Sequence, residues 1–326
     1  MREPVPAKAS RDSVRGLVES LLEGDKRSAG KLISLIEDDE PEAVEALARI
    51  YPHTGRAHVV GFTGPPGVGK SSLINRLVRT FRSRRTTVGV VAVDPTSPYT
   101  GGAVLGDRIR MADTGVDSGV FIRSMATRGH AGGLALATFD AVRVLDAMGS
   151  DLVFVETVGA GQSEVEIASR AHTTVVVEMP LTGDVVQTMK AGILEIGDVY
   201  VVNKVDLGNE DVLVANLKFQ LETRDGWTPP IIRTAALEGR GIDDLAGAID
   251  KHALYLDQSG GRHKRELARA RLEILENVQR LLVHRVSEGS RSGRTFDKLA
   301  EDVATRRIDP HAAAGKLLRS GPATER

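Results

Sequence analysis

The sequence predicts an α/β fold: a doubly wound, mostly parallel sheet with helices before and after it. Three observations predict this. Short valine-rich runs recur at 57–64 (AHVVGFTG), 86–94 (TTVGVVAVD), 151–159 (DLVFVETVG), 173–180 (TTVVVEMP) and 198–206 (DVYVVNKVD). They are nearly continuous rather than alternating, as expected of strands buried on both faces of a parallel sheet. Helical segments lie between them, at Ser71–Arg82, Arg108–Asp113, Gly133–Met148, Glu164–Arg170 and Asp184–Ile196, and this alternation is the pattern of a doubly wound sheet.

The elements follow in order. Val14, Leu17, Val18, Leu21 and Leu22 form one helical stripe, and Leu32, Ile33, Leu35 and Ile36 a second. Pro41 opens a third short helix, with Val44, Leu47 and Ile50 on one face. Tyr51–Gly55 reads as a linker, which bounds an N-terminal helical segment at 1–55. The sheet domain follows at 56–258. After Gln258–Gly261 comes a charged helix, Arg262 to about Val286, striped by Leu267, Leu272, Ile274, Leu275, Val278, Leu281 and Leu282. With shorter helices near Thr295–Ala304 and Pro310–Arg319 it makes a C-terminal arm, 259–326, thin enough in core to pack on its own domain or on a second subunit.

Among 326 residues, 43 Lys plus Arg nearly cancel 44 Asp plus Glu, so bulk charge points to neither nucleic acid nor anionic membrane. Cysteine is absent, which removes disulfides, thiolate metal sites and cysteine nucleophiles, and suits a reducing cytoplasm. The polar start MREPVPAKASRD is unlike a signal peptide, and no apolar run approaches the roughly 18 residues of a membrane helix. A soluble cytoplasmic protein is the expectation.

Gly64-Pro65-Pro66-Gly67-Val68-Gly69-Lys70-Ser71 matches G-x-x-x-x-G-K-[ST] and stands between a strand and the helix that continues through Ser72. Glycines let backbone N–H groups turn inward around a phosphate, and the helix N-terminus adds positive potential. Lys70 would bridge the β- and γ-phosphates and Ser71 would offer its hydroxyl to magnesium. The sheet domain is therefore expected to be a P-loop NTPase.

Asn203-Lys204-Val205-Asp206 closes the last of these strands. A carboxylate only accepts hydrogen bonds, and guanine presents N1–H and a 2-amino group, so Asp206 would select GTP and GDP over adenine nucleotides. Lys204 would lie along the base. Thr234-Ala235-Ala236-Leu237 precedes a Gly-rich turn, and the amides of Ala235 and Ala236 are candidate donors to guanine O6.

Asp94 and Glu156 end two strands, where acidic residues beside a phosphate loop commonly hold magnesium or its waters. In Glu156-Thr157-Val158-Gly159, Gly159 is placed to donate its N–H to the γ-phosphate, and Gln162 is a candidate to position water. The loop between Asp94 and the next helix is a candidate switch, with Asp107 its best candidate for a catalytic or magnesium role. Asp184, Gln187 and Lys190 share one helical face by spacing, which a solvated surface would also explain.

With these residues in hand, the chain resembles the MeaB-type GTPase chaperones of adenosylcobalamin-dependent mutases, a family also named arginine/ornithine (LAO/AO) transport-system kinases. The resemblance runs from about residue 10 to beyond 300. Its most specific stretches are VDPTSPYTGGAVLGDRIRM (93–111), RSMATRGHAGGLA (123–135), ETVGAGQSE (156–164) and Met179–Lys190, with Thr96, Tyr99 and Ala131 as local departures. It implies magnesium acids at Asp94, Asp107 and Glu156, and a third switch bearing Asp184, Gln187 and Lys190 that moves when a mutase docks. Lys190 would then neutralise developing charge on the phosphates, making Lys70, Asp107, Glu156 and Lys190 the catalytic candidates. A homodimer built with the C-terminal helices and a partner such as methylmalonyl-CoA mutase are further implications. The alternative is a nucleotide-dependent kinase or ATPase tied to arginine or ornithine transport, for which no acceptor-pocket pattern is visible.

Overall fold

The computed structural model describes residues 13–94, 117–126, 133–157, 170–180, 195–288 and 290–319, without the side chains of 94, 126, 133–136, 284–288 and 290–294. Three helices come first: α1 (Val14–Leu22), α2 (Lys26–Glu37) and α3 (Pro41–Ile50). The first two are capped by Ser13 and Asp25, whose side chains accept from backbone N–H groups of the first turn, and α3 starts at Pro41. Then come β1 (His58–Thr63), α4 (Lys70–Ser83), β2 (Val88–Asp94), β3 (Val120–Ala126), α5 (Gly133–Ala147), β4 (Leu152–Glu156), β5 (Thr173–Glu178) and β6 (Val199–Val202). The chain continues through α6 (Glu210–Gln220), β7 (Ile231–Arg233), α7 (Ile242–Ser259), α8 (Gly261–Glu288), α9 (Ser290–Ala304) and α10 (Pro310–Arg319).

The strands form one sheet in the order β3-β2-β4-β1-β5-β6-β7, and every pairing among the described strands is parallel. The five valine-rich runs are all strands. Edge strand β3 and three-residue β7 join them at the two rims, positions where the sequence reading placed no strand.

Alternation along each strand divides the core. Val59, Val91, Val93, Val153 and Val155 face one way, against α1–α3 and α5. Val60, Phe62, Val90, Phe154, Val175 and Val177 face the other, against α4 and α7. The N-terminal helices therefore share a core with the sheet and form part of its covering layer. Their register is corrected at two points: Leu22 of α1 is 37% exposed, and Val44, expected on the apolar face of α3, is 61% exposed, with Ala43, Ala46 and Ile50 buried instead. Two charged ties fasten this layer. Lys26 donates to the carbonyls of Asp117 and Val120, at 2.8 and 2.6 Å, and Arg123 on β3 pairs with Glu37.

The chain divides into two compact units, Met1–Arg265 and Glu266–Arg326. In the second, α9 and α10 pack together, and Leu267, Ile274, Leu275, Val278 and Leu281 of the α8 stripe are exposed. The predicted helix at 108–113, and residues 164–169 and 184–194 of two others, lie outside the described residues; Glu195 and Ile196, the predicted end of the last, are a turn.

Candidate nucleotide site

β1 ends at the centre of the sheet, beside β4 and β5, and the loop Gly64–Gly69 turns from it into α4. Open α/β sheets bind ligands at such carboxyl-edge crevices. Two glycines are required here by geometry. Gly64 has φ +137°, and a Cβ on it would sit 2.1 Å from the Val177 carbonyl oxygen. Gly69 has φ +98°, and a Cβ there would meet the Asn203 side-chain nitrogen at 2.5 Å.

Lys70 is buried, and its Nζ donates to the carbonyls of Gly64 (2.6 Å) and Pro65 (3.0 Å). The next residue, Ser71, donates its hydroxyl to Glu156 Oε1 at 2.6 Å. Glu156 is buried at the end of β4, and Thr157 after it is held to the Phe62 carbonyl through both its N–H and its hydroxyl. A cation, a hydroxyl and a carboxylate thus converge at one wall of a cavity of about 630 Å³.

Asn203 lines the same cavity from the end of β6, against the phosphate loop. Its Nδ2 donates to the Val68 carbonyl at 2.8 Å, and its Oδ1 accepts from the Thr234 hydroxyl (2.9 Å) and the Ala236 N–H (3.2 Å). One buried amide therefore ties the phosphate loop to the loop after β7. Lys204 follows in the left-handed region, φ +61°, a conformation that costs a non-glycine residue about 1 kcal/mol and concentrates at functional sites. Asp206 is exposed on a short 3₁₀ turn and lines the same cavity.

Of the sequence candidates, Pro66, Gly67, Gly69, Lys70, Ser71, Ser72, Glu156, Asn203, Lys204, Asp206 and Ala236 line this one cavity. Gly64, Pro65 and Val68 stand behind the wall as backbone anchors of Lys70 and Asn203. In the loop after β7, the amide of Ala235 donates to the Arg240 carbonyl, that of Ala236 to Asn203 Oδ1, and the Thr234 hydroxyl to the same oxygen. The backbone of Asp94 ends β2 beside the cavity-lining Ala92 and Val93. Asp107, Gly159 and Lys190, with Gln162, Asp184 and Gln187, lie outside the described residues.

Leu207, Leu237 and Arg76 are among the residues that the sequence reading of the site missed. Leu207 and Leu237 line the cavity although both are strongly exposed. Arg76 on α4 donates to the Ala236 and Leu237 carbonyls. The only available signal for Arg76 was its position one helical turn after Ser72, on the same face.

A phosphate loop at the switch point of a parallel sheet, with an N-K-x-D turn lining the same cavity, defines a P-loop nucleotide-binding protein of the GTPase class. The comparisons specify it further. A model described as methylmalonyl Co-A mutase-associated GTPase MeaB matches residues 29–291, and the chain belongs to that family. It is 45% identical over 309 residues to a putative GTPase of Pyrococcus abyssi, covering 93% of this chain and 95% of the relative. A methylmalonic aciduria type A homolog, mitochondrial, of Caenorhabditis elegans is 27% identical over 94% of this chain and 83% of its own. A solved structure titled LAO/AO transport system kinase superposes with a TM-score of 0.69, at 23% identity, over 96% of this chain and 99% of the other, a likeness of fold.

Proposed function

We propose that this protein is a magnesium-dependent GTPase that assembles with, and protects or loads, an adenosylcobalamin-dependent acyl-CoA mutase, methylmalonyl-CoA mutase first among the candidates. The observation that carries the GTPase part is the single cavity lined by Lys70, Ser71, Glu156 and Asp206 together. The mutase part rests on the family description and on the name of the nematode relative.

In this reading Lys70 turns from the Gly64 and Pro65 carbonyls to the β- and γ-phosphates, exchanging neutral acceptors for charged ones. Ser71 Oγ and Glu156 Oε1 are an all-oxygen pair next to Lys70, donor chemistry that suits magnesium. Asp94 and Asp107 are proposed to complete its surroundings, and the ion would neutralise charge on the phosphate oxygens. Among the described residues no cluster of three or more His, Cys, Asp or Glu competes as a metal site. Gly159 and Lys190 are proposed to reach the γ-phosphate, Lys190 once the mutase has docked, with hydrolysis slow until then.

The exposed stripe of α8 supports a homodimer. Cytoplasmic residence is part of the same reading; among the described residues no helix is long and apolar enough to cross a membrane.

The test is a pull-down from the native cells with a GTP analogue and magnesium, together with hydrolysis assays with and without the captured mutase. Recovery of an adenosylcobalamin mutase that accelerates GTP hydrolysis is the expected result. Label from the γ-phosphate appearing on arginine or ornithine rather than as inorganic phosphate would establish the kinase alternative instead.

A further inference from the structure

We propose that Arg76 is a positioning residue for purine selection: from the helix behind the phosphate loop it holds Leu237 against the base. This rests on the guanine-site reading above. Arg76 Nε donates to the Ala236 carbonyl at 3.0 Å, and Nη2 donates to the Leu237 carbonyl. One planar guanidinium therefore grips two consecutive carbonyls, a fixed geometry that a flexible ammonium does not reproduce.

The gripped loop carries an exposed apolar side chain at a functional wall. Leu237 is 79% exposed and Leu207 is 64% exposed, and both line the cavity beside Lys204 and Asp206. Leaving a leucine in water forgoes the stabilisation of burial, and a planar purine laid on it recovers that. Of this loop, Ala236 and Leu237 line the cavity, and Leu237 is its large apolar side chain there.

The same helix reaches from the cavity to this loop. Ser72, which lines the cavity, stands one turn before Arg76 on one face of α4. Asn203 joins the Val68 carbonyl to the Ala236 N–H nearby. Arg76 is a second tether, independent of Asn203, between the phosphate-binding helix and the base-covering loop. It sets where the leucine stands relative to Asp206, and so how well a purine that pairs with Asp206 is covered.

The experiment measures affinities of the full chain with magnesium for GDP, ADP and, by competition, inorganic tripolyphosphate, in Arg76→Ala, Arg76→Lys and Leu237→Ala. Arg76→Ala should weaken GDP about tenfold, the scale of one lost charge-assisted hydrogen bond, and narrow the preference over ADP. Tripolyphosphate, which has no base, should bind unchanged. Arg76→Lys should recover part of the loss, and Leu237→Ala, a surface truncation that leaves the core intact, should reproduce it. With GTP the effect should fall on KM, with kcat changed no more than about twofold.

Unchanged GDP affinity in Arg76→Ala, or equal weakening of GDP and tripolyphosphate, overturns the proposal. Asp206→Asn is the separate control: its amide should exchange a preference for GDP for one for XDP, whose C2 carbonyl accepts a hydrogen bond. If it does not, the guanine reading fails and takes the role of Arg76 with it. If it does while Arg76→Ala is silent, only the role of Arg76 fails.

Discussion

At the carboxyl ends of the central strands, Lys70, Glu156, Asn203 and Asp206 surround an open cavity. At the amino ends of β1, β5 and β6, a comparable number of polar groups is packed against one another. His58 Nε2 and His252 Nδ1 each lie 2.8 Å from the Thr173 hydroxyl. Asp198 accepts two hydrogen bonds from Arg265, both at 2.7 Å, and another from the Thr174 N–H at 2.8 Å. His172 Nδ1 accepts from the Val59 N–H, and Arg262 approaches both His172 and His58.

The electrostatics differ accordingly. Burial, together with His172 and the Arg262 guanidinium nearby, pushes His58 down to about 2. Burial, opposed by Asp198, lowers His252 to about 4. Both rings are neutral at physiological pH, so His252 contributes no ion pair although its Nε2 is 3.4 Å from Asp198. The difference teaches how to separate function from structure in one sheet. Polar groups that satisfy each other fasten the fold, here pinning the first turn of α8 to the sheet, and those aimed at a shared cavity await a ligand.

Breaking each end should give different signatures. The largest effect belongs to the open end: Lys70→Ala should lower GTP hydrolysis by about 10²–10³-fold, the scale of one lost electrostatic donor, with little change in thermal unfolding. Steady-state hydrolysis and a melting curve check both halves.

Next, Asp198→Ala should cost about 2–3 kcal/mol of stability in urea unfolding, because Arg265 loses its partner while retaining some access to water. A fall in GTP affinity without loss of stability would undo the contrast.

Acidification acts at the closed end too. Unfolded histidines take up protons near 6.5 while folded His58 and His252 resist until about 2 and 4. Their stabilisation is therefore full above 6.5 and drains as pH falls. Together the two should lose about 2 kcal/mol between pH 6.5 and 5.5, read as a drop in the urea midpoint.

Smallest is Thr173→Val, which deletes the hydroxyl between the two rings and should cost about 1 kcal/mol. It sharpens the comparison if GDP affinity is untouched.

The site was more legible than its supports. Local patterns such as Gly64–Ser71 and Asn203–Asp206 are legible because phosphate and base contacts require fixed residue types at short spacing. Arg76 was missed because its partner Ala236 is 160 residues away. The edge strands escaped for a similar reason. Half-covered β3 lacks a continuous apolar run, and β7 is three residues long behind two prolines.

By itself the sequence determined the doubly wound sheet, the glycine-rich loop Gly64–Ser71 and the N-K-x-D turn after β6, since apolar runs and glycine-bearing turns are short-range demands. Only the tertiary structure decided that α1–α3 cover the sheet, that His58, His172 and His252 meet at its amino edge, and that Arg76 grips the loop opposite. Those contacts join residues up to 194 positions apart, from His58 to His252 through Thr173. No local periodicity encodes such a meeting, because packing of the whole sheet brings the partners together.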